Sequence, residues 1–253
     1  MNEIIEIYPY SNKTARVSIS APMIARRAKA GNFVILRFAT DGPRIPFSIV
    51  STDVEKGIIE IIIHRDAGLD DILQILKPGE KLPDLLGPLG QPAVIDEGKR
   101  VVCCGDGAGL VPLLPIAREL HERGCTVYAV VSEESGKVSC LTEDIEKYSD
   151  EVIVAPEGKM AEIVEKTIKD NGIQKAWIAG PTLMLKKLNA VTIDCGIEAS
   201  CVLNMLMLDG IGLCGMCRVI VGGERKQTCT DGPVFDAHLV DFDQLFNRQR
   251  LFS

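Results

Sequence analysis

Long apolar runs, an excess of basic charge and a basic leader segment are all missing from this chain of 253 residues. A membrane-spanning helix needs about 20 consecutive apolar residues, so we expect no membrane span. The net charge of −7 excludes the basic surface typical of nucleic-acid-binding proteins. The N-terminus lacks a basic segment followed by an apolar core, which predicts a cytoplasmic protein whose cysteines are reduced.

The cysteines that do occur are unevenly distributed. Three of the nine, Cys214, Cys217 and Cys229, lie within sixteen residues near the end of the chain, which favours metal ligation over disulfides. The segment Asp209–Cys217, DGIGLCGMC, is called the cluster loop below; it places an aspartate where a further thiolate ligand could stand. We expect the other six cysteines to be small buried hydrophobes; they are Cys103, Cys104, Cys125, Cys140, Cys195 and Cys201.

The pattern of the chain changes twice. Residues 1–97 alternate short β-rich runs with turn signals, which predicts a small antiparallel barrel or sandwich. Residues 98–198 alternate apolar strands with helical segments, which predicts a parallel sheet covered on both faces. Residues 199–253 are rich in glycine and cysteine, and a segment this small is expected to depend on a bound metal.

A short motif in the first region, RIPFS, has the residue types that a dinucleotide flavin needs. Arg44 could bind the pyrophosphate, Phe47 could form an apolar wall for the ring system, and Ser48 could hydrogen-bond near the ring nitrogen that accepts hydride. By itself the motif also fits an ordinary proline turn that leads into a strand.

Two glycine turns in the second region follow predicted strands and precede predicted helices. The first contains Gly105, Gly107 and Gly109, and the second contains Gly180 and Pro181. Glycines allow close approach to a phosphate, and the helix N-terminus supplies free N–H groups, although simple turn chemistry is the alternative. Asp106 could cap the helix or contact a ribose hydroxyl. Ligands of open parallel sheets lie beyond the carboxyl ends of the strands, so both turns could line one cleft.

The ligands of the cluster loop are compatible with more than one metal. Thiolates and a carboxylate suit zinc as well as iron–sulfur centres. The loop glycines favour iron–sulfur, because they let the backbone wrap tightly and direct N–H groups at sulfide. Two further alternatives are Cys201 as the fourth ligand and His238 as a ligand of a Rieske-like site.

With these motifs in this order, the chain resembles the ferredoxin–NADP reductase superfamily, and within it the iron–sulfur flavoprotein subunits that include the electron-transfer subunit of dihydroorotate dehydrogenase. The resemblance covers essentially the whole chain. It implies a β-barrel FAD domain at 1–97, an α/β parallel-sheet NAD(P)-binding domain at 98–198 and a [2Fe–2S] module at 199–253. Four-cysteine relatives use a C-x4-C-x2-C…C pattern, and Asp209 replaces its first cysteine here.

The resemblance also implies roles for particular residues. Contacts with FAD are expected from Arg44, Pro46, Phe47, Ser48, Ile63, His64, Arg65 and Gly68. Contacts with NAD(H) are expected from Gly105, Gly107, Ala108, Gly109, Gly180 and Pro181. Cluster ligands are expected at Asp209, Cys214, Cys217 and Cys229. The chain departs from its relatives at Asp70 and Asp71, where a Gly-Thr pair is common and two carboxylates would repel a pyrophosphate.

A chain with one small cluster at its end must pass electrons onward, so we expect a larger partner subunit with further flavin and iron–sulfur centres. The predicted function is hydride exchange between NAD(H) and FAD, with electrons leaving through the [2Fe–2S] cluster. Ferredoxin and NADP would react at the partner, in a complex of the electron-bifurcating type. The alternatives are a subunit of dihydroorotate dehydrogenase, sulfide reductase or hydrogenase, and a zinc-stabilised binding module without a redox role.

Overall fold

A computed structural model describes residues 2–11, 13–64, 73, 76–134, 137, 138 and 140–250. Arg65 and Gly68, two predicted flavin contacts, and the unusual pair Asp70 and Asp71 lie outside the described residues. Among the described helices, none is long and apolar enough to cross a bilayer.

The N-terminal region is an antiparallel barrel. Its six strands are β1 (Ile4–Pro9), β2 (Thr14–Ser20), β3 (Phe33–Arg37), β4 (Ile45–Asp53), β5 (Ile58–His64) and β6 (Asp84–Leu89), in the order β1-β2-β5-β4-β3-β6. Two backbone hydrogen bonds join β1 to the segment that precedes β6. The Ile4 N–H donates to Glu80 O, and the Leu82 N–H donates to Asn2 O. Strand alternation sends one set of apolar side chains inward, and the fully buried ones include Ile19, Ile59 and Ile61.

The second region is built on a seven-stranded sheet. Its strands are β7 (Arg100–Gly105), β8 (Thr126–Glu134), β9 (Lys137–Val138), β10 (Glu151–Ala155), β11 (Lys175–Ala179), β12 (Glu198–Val202) and, from the C-terminal region, β15 (Val234–Asp236). The order is β10-β8-β7-β11-β12-β15; the first five run parallel, β15 is antiparallel, and β9 pairs with β8. The predicted boundary at 198 and 199 falls inside β12, which pairs with β11 along its whole length.

Helices cover both faces of this sheet. They are α2 (Leu110–Glu122), α3 (Thr142–Glu146), α4 (Met160–Asn171) and α5 (Thr182–Asp194), and a one-turn helix in the barrel is α1 (Pro22–Ala25). One apolar core packs α2 and α3 against the sheet and against Val50 and Ile62 of the barrel. A second core lies on the opposite face, under α4 and α5, and extends into the C-terminal region.

The C-terminal region adds a hairpin and a helix to the second core. The hairpin is β13 (Arg218–Val221) with β14 (Glu224–Gln227), and the helix is α6 (Phe242–Gln249). Gln91 ties this region to the barrel by two hydrogen bonds: its backbone N–H donates to Gly232 O at 2.6 Å, and its Nε2 donates to Thr230 O at 2.8 Å. The predicted fold class, a barrel followed by a parallel-sheet domain and a small C-terminal module, is confirmed.

A polar cluster, here named the interdomain latch, joins the barrel to the sheet domain. It consists of Tyr10, Arg16, Asp144 and Lys147. Asp144 lies in α3 with only 8% of its side chain exposed, and it accepts hydrogen bonds from Tyr10 Oη, from Arg16 Nη2 at 3.0 Å and from Lys147 Nζ at 2.8 Å. Burial and the hydrogen bond to Asp144 raise the pKa of Tyr10. The latch therefore ties the first hairpin of the barrel to the sheet domain.

Candidate functional site: a barrel face, a glycine cleft and the cluster loop

The last four residues of the RIPFS motif form the start of β4, where successive side chains alternate between the two faces of the strand. Phe47 is 8% exposed and packs into the barrel core, with its ring edge-on to Phe38 at a centroid distance of 5.8 Å. Pro46 and Ser48 are half buried and face the opposite side of the strand. The outer surface of β4 therefore presents Pro46 and Ser48, while the Phe47 ring faces the barrel interior.

Arg44 lies just before β4 and is paired with a carboxylate. Its Nε and Nη2 both donate to Asp84 Oδ2, at 3.0 and 2.9 Å. Asp84 begins β6, which is separated from β4 by β3. A phosphate bound by Arg44 would have to share this guanidinium with Asp84 or displace it.

The end of β5 repeats the alternation of β4. Ile63 is fully buried in the barrel core, whereas His64 is half buried, with Nδ1 2.7 Å from Thr14 Oγ1. Ile63 therefore supports the barrel from inside, and His64 is the residue of this pair that lies on the outer face.

The two glycine turns meet at the point where the strand order reverses. The chain leaves β7 toward β8 on one side, and it later returns to β11 on the other side of β7. Gly105 and Ala179 are direct neighbours at the carboxyl ends of β7 and β11. Such a switch point is where open α/β sheets bind their ligands. The structure thus brings both predicted turns to one cleft.

Backbone contact between the two turns is close at Gly109. A Cβ placed on Gly109 would lie 2.4 Å from Ala179 O and 2.8 Å from the Cα of Gly180. Gly107 has a φ of +48°, which side chains rarely adopt. Only glycine at these positions lets the first turn lie against the second.

Asp106 in the first turn has a partner that the sequence did not indicate. Its carboxylate accepts a hydrogen bond from Ser132 Oγ at the end of β8, and it makes no capping hydrogen bond to the described backbone. The helix-cap role considered above is therefore wrong. Ser132 is 26 residues away in sequence, and no local pattern relates the two.

In the cluster loop, the Asp209 carboxylate gathers backbone N–H groups. Oδ1 accepts from Ile211 N at 2.9 Å, and Oδ2 accepts from Leu213 N at 3.1 Å and Cys214 N at 2.5 Å. Desolvation opposes ionisation, but these hydrogen bonds outweigh it and lower the pKa of Asp209. The aspartate is thus held ionised beside Cys214.

The other two predicted ligands, Cys217 and Cys229, contact each other. Cys217 and Cys229 are 1% and 2% exposed, and their thiols are joined by a hydrogen bond. The Cys229 thiol also accepts from the Gly212 backbone N–H, while burial and then Cys217 raise its pKa to about 12. Among the described residues, no set of three or more His, Cys, Asp or Glu side chains is arranged to hold a single metal ion.

Both alternative ligands are placed elsewhere. Cys201 is fully buried in the middle of β12, where burial raises the pKa of its thiol. His238 Nε2 lies 3.2 Å from Thr192 Oγ1 beside α5. Cys201 is therefore a core residue, and His238 has a hydrogen-bonding role.

The cluster loop packs directly on the barrel next to the RIPFS strand. A Cβ on Gly210 would lie 2.4 Å from Ile35 Cδ1 and 2.9 Å from Leu89 Cδ1. Ile35 of β3 is paired in register with Pro46 of β4. The loop therefore packs on β3, and the outer face that carries Ser48 belongs to the adjacent strand β4.

Comparison with known proteins identifies the region of the cluster loop as an iron–sulfur domain. Residues 204–241, which include all four predicted ligands, match the iron–sulfur cluster binding domain of dihydroorotate dehydrogenase B. The chain is 30% identical to a dihydroorotate dehydrogenase B electron transfer subunit homolog from Thermotoga maritima, over 98% of this chain and 90% of that protein. It is 31% identical to an uncharacterized protein from Clostridium beijerinckii, over 100% and 91%.

Two solved structures are informative. A structure of the NADH-dependent reduced ferredoxin-NADP oxidoreductase, studied for flavin-based electron bifurcation, superposes with a TM-score of 0.90 at 29% identity, covering 99% of this chain and 93% of that one. A ferredoxin NADP+ reductase from Neisseria gonorrhoeae with bound FAD and NADP has a TM-score of 0.61 at 18% identity, covering 77% and 90%.

The barrel, the glycine cleft and the matched C-terminal domain define an oxidoreductase of the ferredoxin–NADP reductase class that carries an iron–sulfur domain. The predicted cofactor classes, FAD, NAD(H) and an iron–sulfur cluster, are confirmed at the level of this class. Within it, the chain belongs to the family of dihydroorotate dehydrogenase B electron transfer subunits and their homologues.

Proposed function

We propose that this chain is the small subunit of an NADH-dependent ferredoxin–NADP oxidoreductase of the electron-bifurcating type. It exchanges hydride between NAD(H) and FAD and passes electrons through a [2Fe–2S] cluster to a larger subunit. One observation carries this proposal: the cluster loop packs on Ile35, and Ile35 is paired with Pro46 of the predicted flavin strand. A cluster held by this loop would lie over β3, and a flavin held by the RIPFS motif would lie over the adjacent strand β4 of the same barrel.

In this proposal, FAD lies on the outer face of the barrel. Arg44 binds its phosphates, with Pro46 and Ser48 beside the ring system and His64 on the next strand. Phe47 and Ile63 hold these two strands from inside the barrel. Arg65 and Gly68 complete the predicted set from outside the described residues. FAD supplies the exchange between hydride and single electrons, while the protein supplies position and electrostatics.

NAD(H) is assigned to the cleft between the two glycine turns. The backbone of Gly105, Gly107, Ala108 and Gly109 faces the diphosphate at the start of α2, where free N–H groups favour an anion. Gly180 and Pro181 form the opposite wall. The contact between Gly109 and Gly180 supports a single cleft made from both turns.

The cluster loop fits a binuclear centre better than zinc. The Asp209 carboxylate accepts the Cys214 backbone N–H, and the Cys217 and Cys229 thiols are hydrogen-bonded, so the four residues form two neighbouring pairs. A structural zinc ion needs four ligands around one point, whereas a [2Fe–2S] centre has two irons that can each take one pair. The Gly212 N–H directed at Cys229 suits a cluster whose sulfur atoms accept hydrogen bonds.

The partner is proposed to be a larger subunit at which ferredoxin and NADP react. The similarity of the whole chain to the ferredoxin-NADP oxidoreductase structure supports it. A second candidate is the electron-transfer subunit of dihydroorotate dehydrogenase, which the named relatives favour. Asp209 weighs against this second candidate, because that group uses four cysteines.

Purification with the native partner tests the proposal. We expect a yellow-brown complex with bound FAD and with iron and sulfide in equal amounts, in which NADP reduction requires both NADH and reduced ferredoxin. NADH-linked turnover of dihydroorotate instead would establish the second candidate. A colourless chain with stoichiometric zinc would overturn both and support a non-redox binding module.

Replacing Asp209 by cysteine should leave the cluster bound but change its spectrum and its reduction potential. Asp209→Cys supplies a thiolate in place of an oxygen ligand, so we expect an altered visible and EPR spectrum and an altered reduction potential. Asp231→Asn is the matched control, because Asp231 also accepts a backbone N–H, from Gln227 at 2.7 Å, but is not a predicted ligand. An unchanged spectrum and potential in Asp209→Cys would show that Asp209 is not a ligand.

Replacing Arg44 by glutamine should weaken FAD binding. Loss of a charge-assisted hydrogen bond to phosphate costs about 1.5–3 kcal/mol, so we expect roughly tenfold to hundredfold lower affinity. Titration of the flavin-free protein with FAD, followed by flavin fluorescence, measures the change. Arg26→Gln removes an exposed charge elsewhere on the barrel and should bind FAD normally. Equal losses in both variants would contradict a direct role for Arg44.

A further inference from the structure

Three arginine side chains converge on Gly215, between Cys214 and Cys217 of the cluster loop. Arg248 Nη2 donates to Gly215 O at 3.2 Å and to Met216 O at 3.0 Å. A Cβ on Gly215 would lie 3.5 Å from Arg218 Cδ and 3.8 Å from Arg225 Nη2. Arg218, Arg225 and Arg248 are called the arginine collar below.

The collar is built by two separate elements. In the hairpin, Arg218 is paired with Gln227 and Ile220 is paired with Arg225, so Arg218 and Arg225 lie on one face in diagonal positions. Arg248 comes from the last turn of α6, which packs against β13. Two separate segments thus bring arginine side chains to the same four-residue stretch.

Within the described part of the chain, the two hairpin arginines of the collar are not neutralised by acidic side chains of the hairpin. No salt bridge there involves Arg218 or Arg225, and Glu224 is paired with Lys226 at 2.7 Å. Burial and then the charges of Arg218 and Arg225 lower the pKa of Arg248. Like charges held this close are unfavourable unless an anion compensates them.

We propose that the arginine collar stabilises the reduced form of the iron–sulfur cluster and so raises its reduction potential. The inference rests on the proposed function. Three thiolates and a carboxylate outweigh the charge of the oxidised iron–sulfur core, so the bound centre is an anion, and the electron that it accepts adds another negative charge. Net charge and hydrogen bonding are established determinants of cluster potential. Cations fixed around the loop favour the more negative, reduced state.

The test uses the full chain reconstituted with iron, sulfide and FAD. Arg218→Gln, Arg225→Gln and the double variant are titrated with dithionite in the presence of mediators, and the cluster is followed by EPR. We expect a lower potential in each, with the double variant changing the reduction equilibrium about tenfold, or about 59 mV for one electron. Added salt should reduce the difference, because these side chains are partly solvated.

Lys226→Gln is the matched control. Lys226 is in the same hairpin, but it faces the opposite side from Arg225, and its removal should leave the potential unchanged. Arg248→Lys keeps the positive charge and should leave the reduction potential of the cluster nearly unchanged, whereas Arg248→Gln removes the charge and should lower the potential. Should Arg248→Gln fail to load iron, the double variant alone decides.

Two other results would overturn the inference. A double variant with the wild-type potential would show that the collar does not tune the cluster; if it also bound the partner more weakly, the collar would serve an acidic partner surface instead. A wild-type chain that takes up no iron and sulfide would overturn the proposed function together with the inference.

Discussion

Gly109→Ala will weaken NADH binding while FAD remains bound. The added Cβ would lie 2.4 Å from Ala179 O, and because this atom belongs to the backbone it cannot rotate away. Overpacking of this kind costs roughly 1–3 kcal/mol, which predicts about fivefold to 150-fold weaker binding when the first turn is displaced from the cleft. Stopped-flow reduction of the flavin by NADH measures the effect, and the FAD content reports on the barrel.

Gly124→Ala separates this effect from a general loss of stability. Gly124 has a φ of +74°, and a Cβ added there would meet no heavy atom within 4 Å, so alanine strains the backbone without a clash. It follows α2 at the end remote from the cleft. We expect a less stable protein that still binds NADH. Normal NADH binding by Gly109→Ala would show that the cleft does not hold the nucleotide.

The cleft could be predicted from sequence because each of its parts is local. Gly105 ends an apolar strand, Gly109 precedes an apolar helix, and Gly180 repeats the pattern after β11. The carboxyl ends of parallel strands lie at one edge of a sheet, so the two turns were expected to meet. The placement of β11 beside β7 was not predictable, since strand order depends on pairing between distant segments.

Contacts between distant segments account for the features that the sequence did not predict. Arg44 and Asp84 are 40 residues apart, and nothing near either residue indicates the ion pair. Phe47 was expected to face the flavin, but the register of β4 against β3 turns its ring into the barrel. A shift of one residue would have reversed that outcome. The arginine collar likewise depends on the packing of α6 against the hairpin.

Removing the carboxylate of the interdomain latch should destabilise the contact between the two domains. Asp144→Ala removes the acceptor that Tyr10 and Arg16 share and leaves Arg16 with Glu60 at 3.4 Å. Leaving such partly buried donors without their acceptor costs about 1–3 kcal/mol. Because Tyr10 and Arg16 belong to the barrel, we expect separate unfolding of the barrel and the sheet domain in urea. Glu162→Gln, which breaks an exposed pair with Lys159, should leave unfolding unchanged.

The pH dependence of the unfolding free energy tests whether Asp144 stabilises the protein through its charge. Burial opposes ionisation of Asp144, but hydrogen bonds from Lys147 and Tyr10 and the charge of Arg16 outweigh it and lower the pKa of Asp144. A carboxylate with a depressed folded-state pKa stabilises the fold above its unfolded-state pKa and loses that contribution as the pH falls through the folded-state value. The difference in unfolding free energy between the wild type and Asp144→Asn should therefore be full at neutral pH and shrink in acid. A difference that stays constant with pH would mean that Asp144 acts by packing alone.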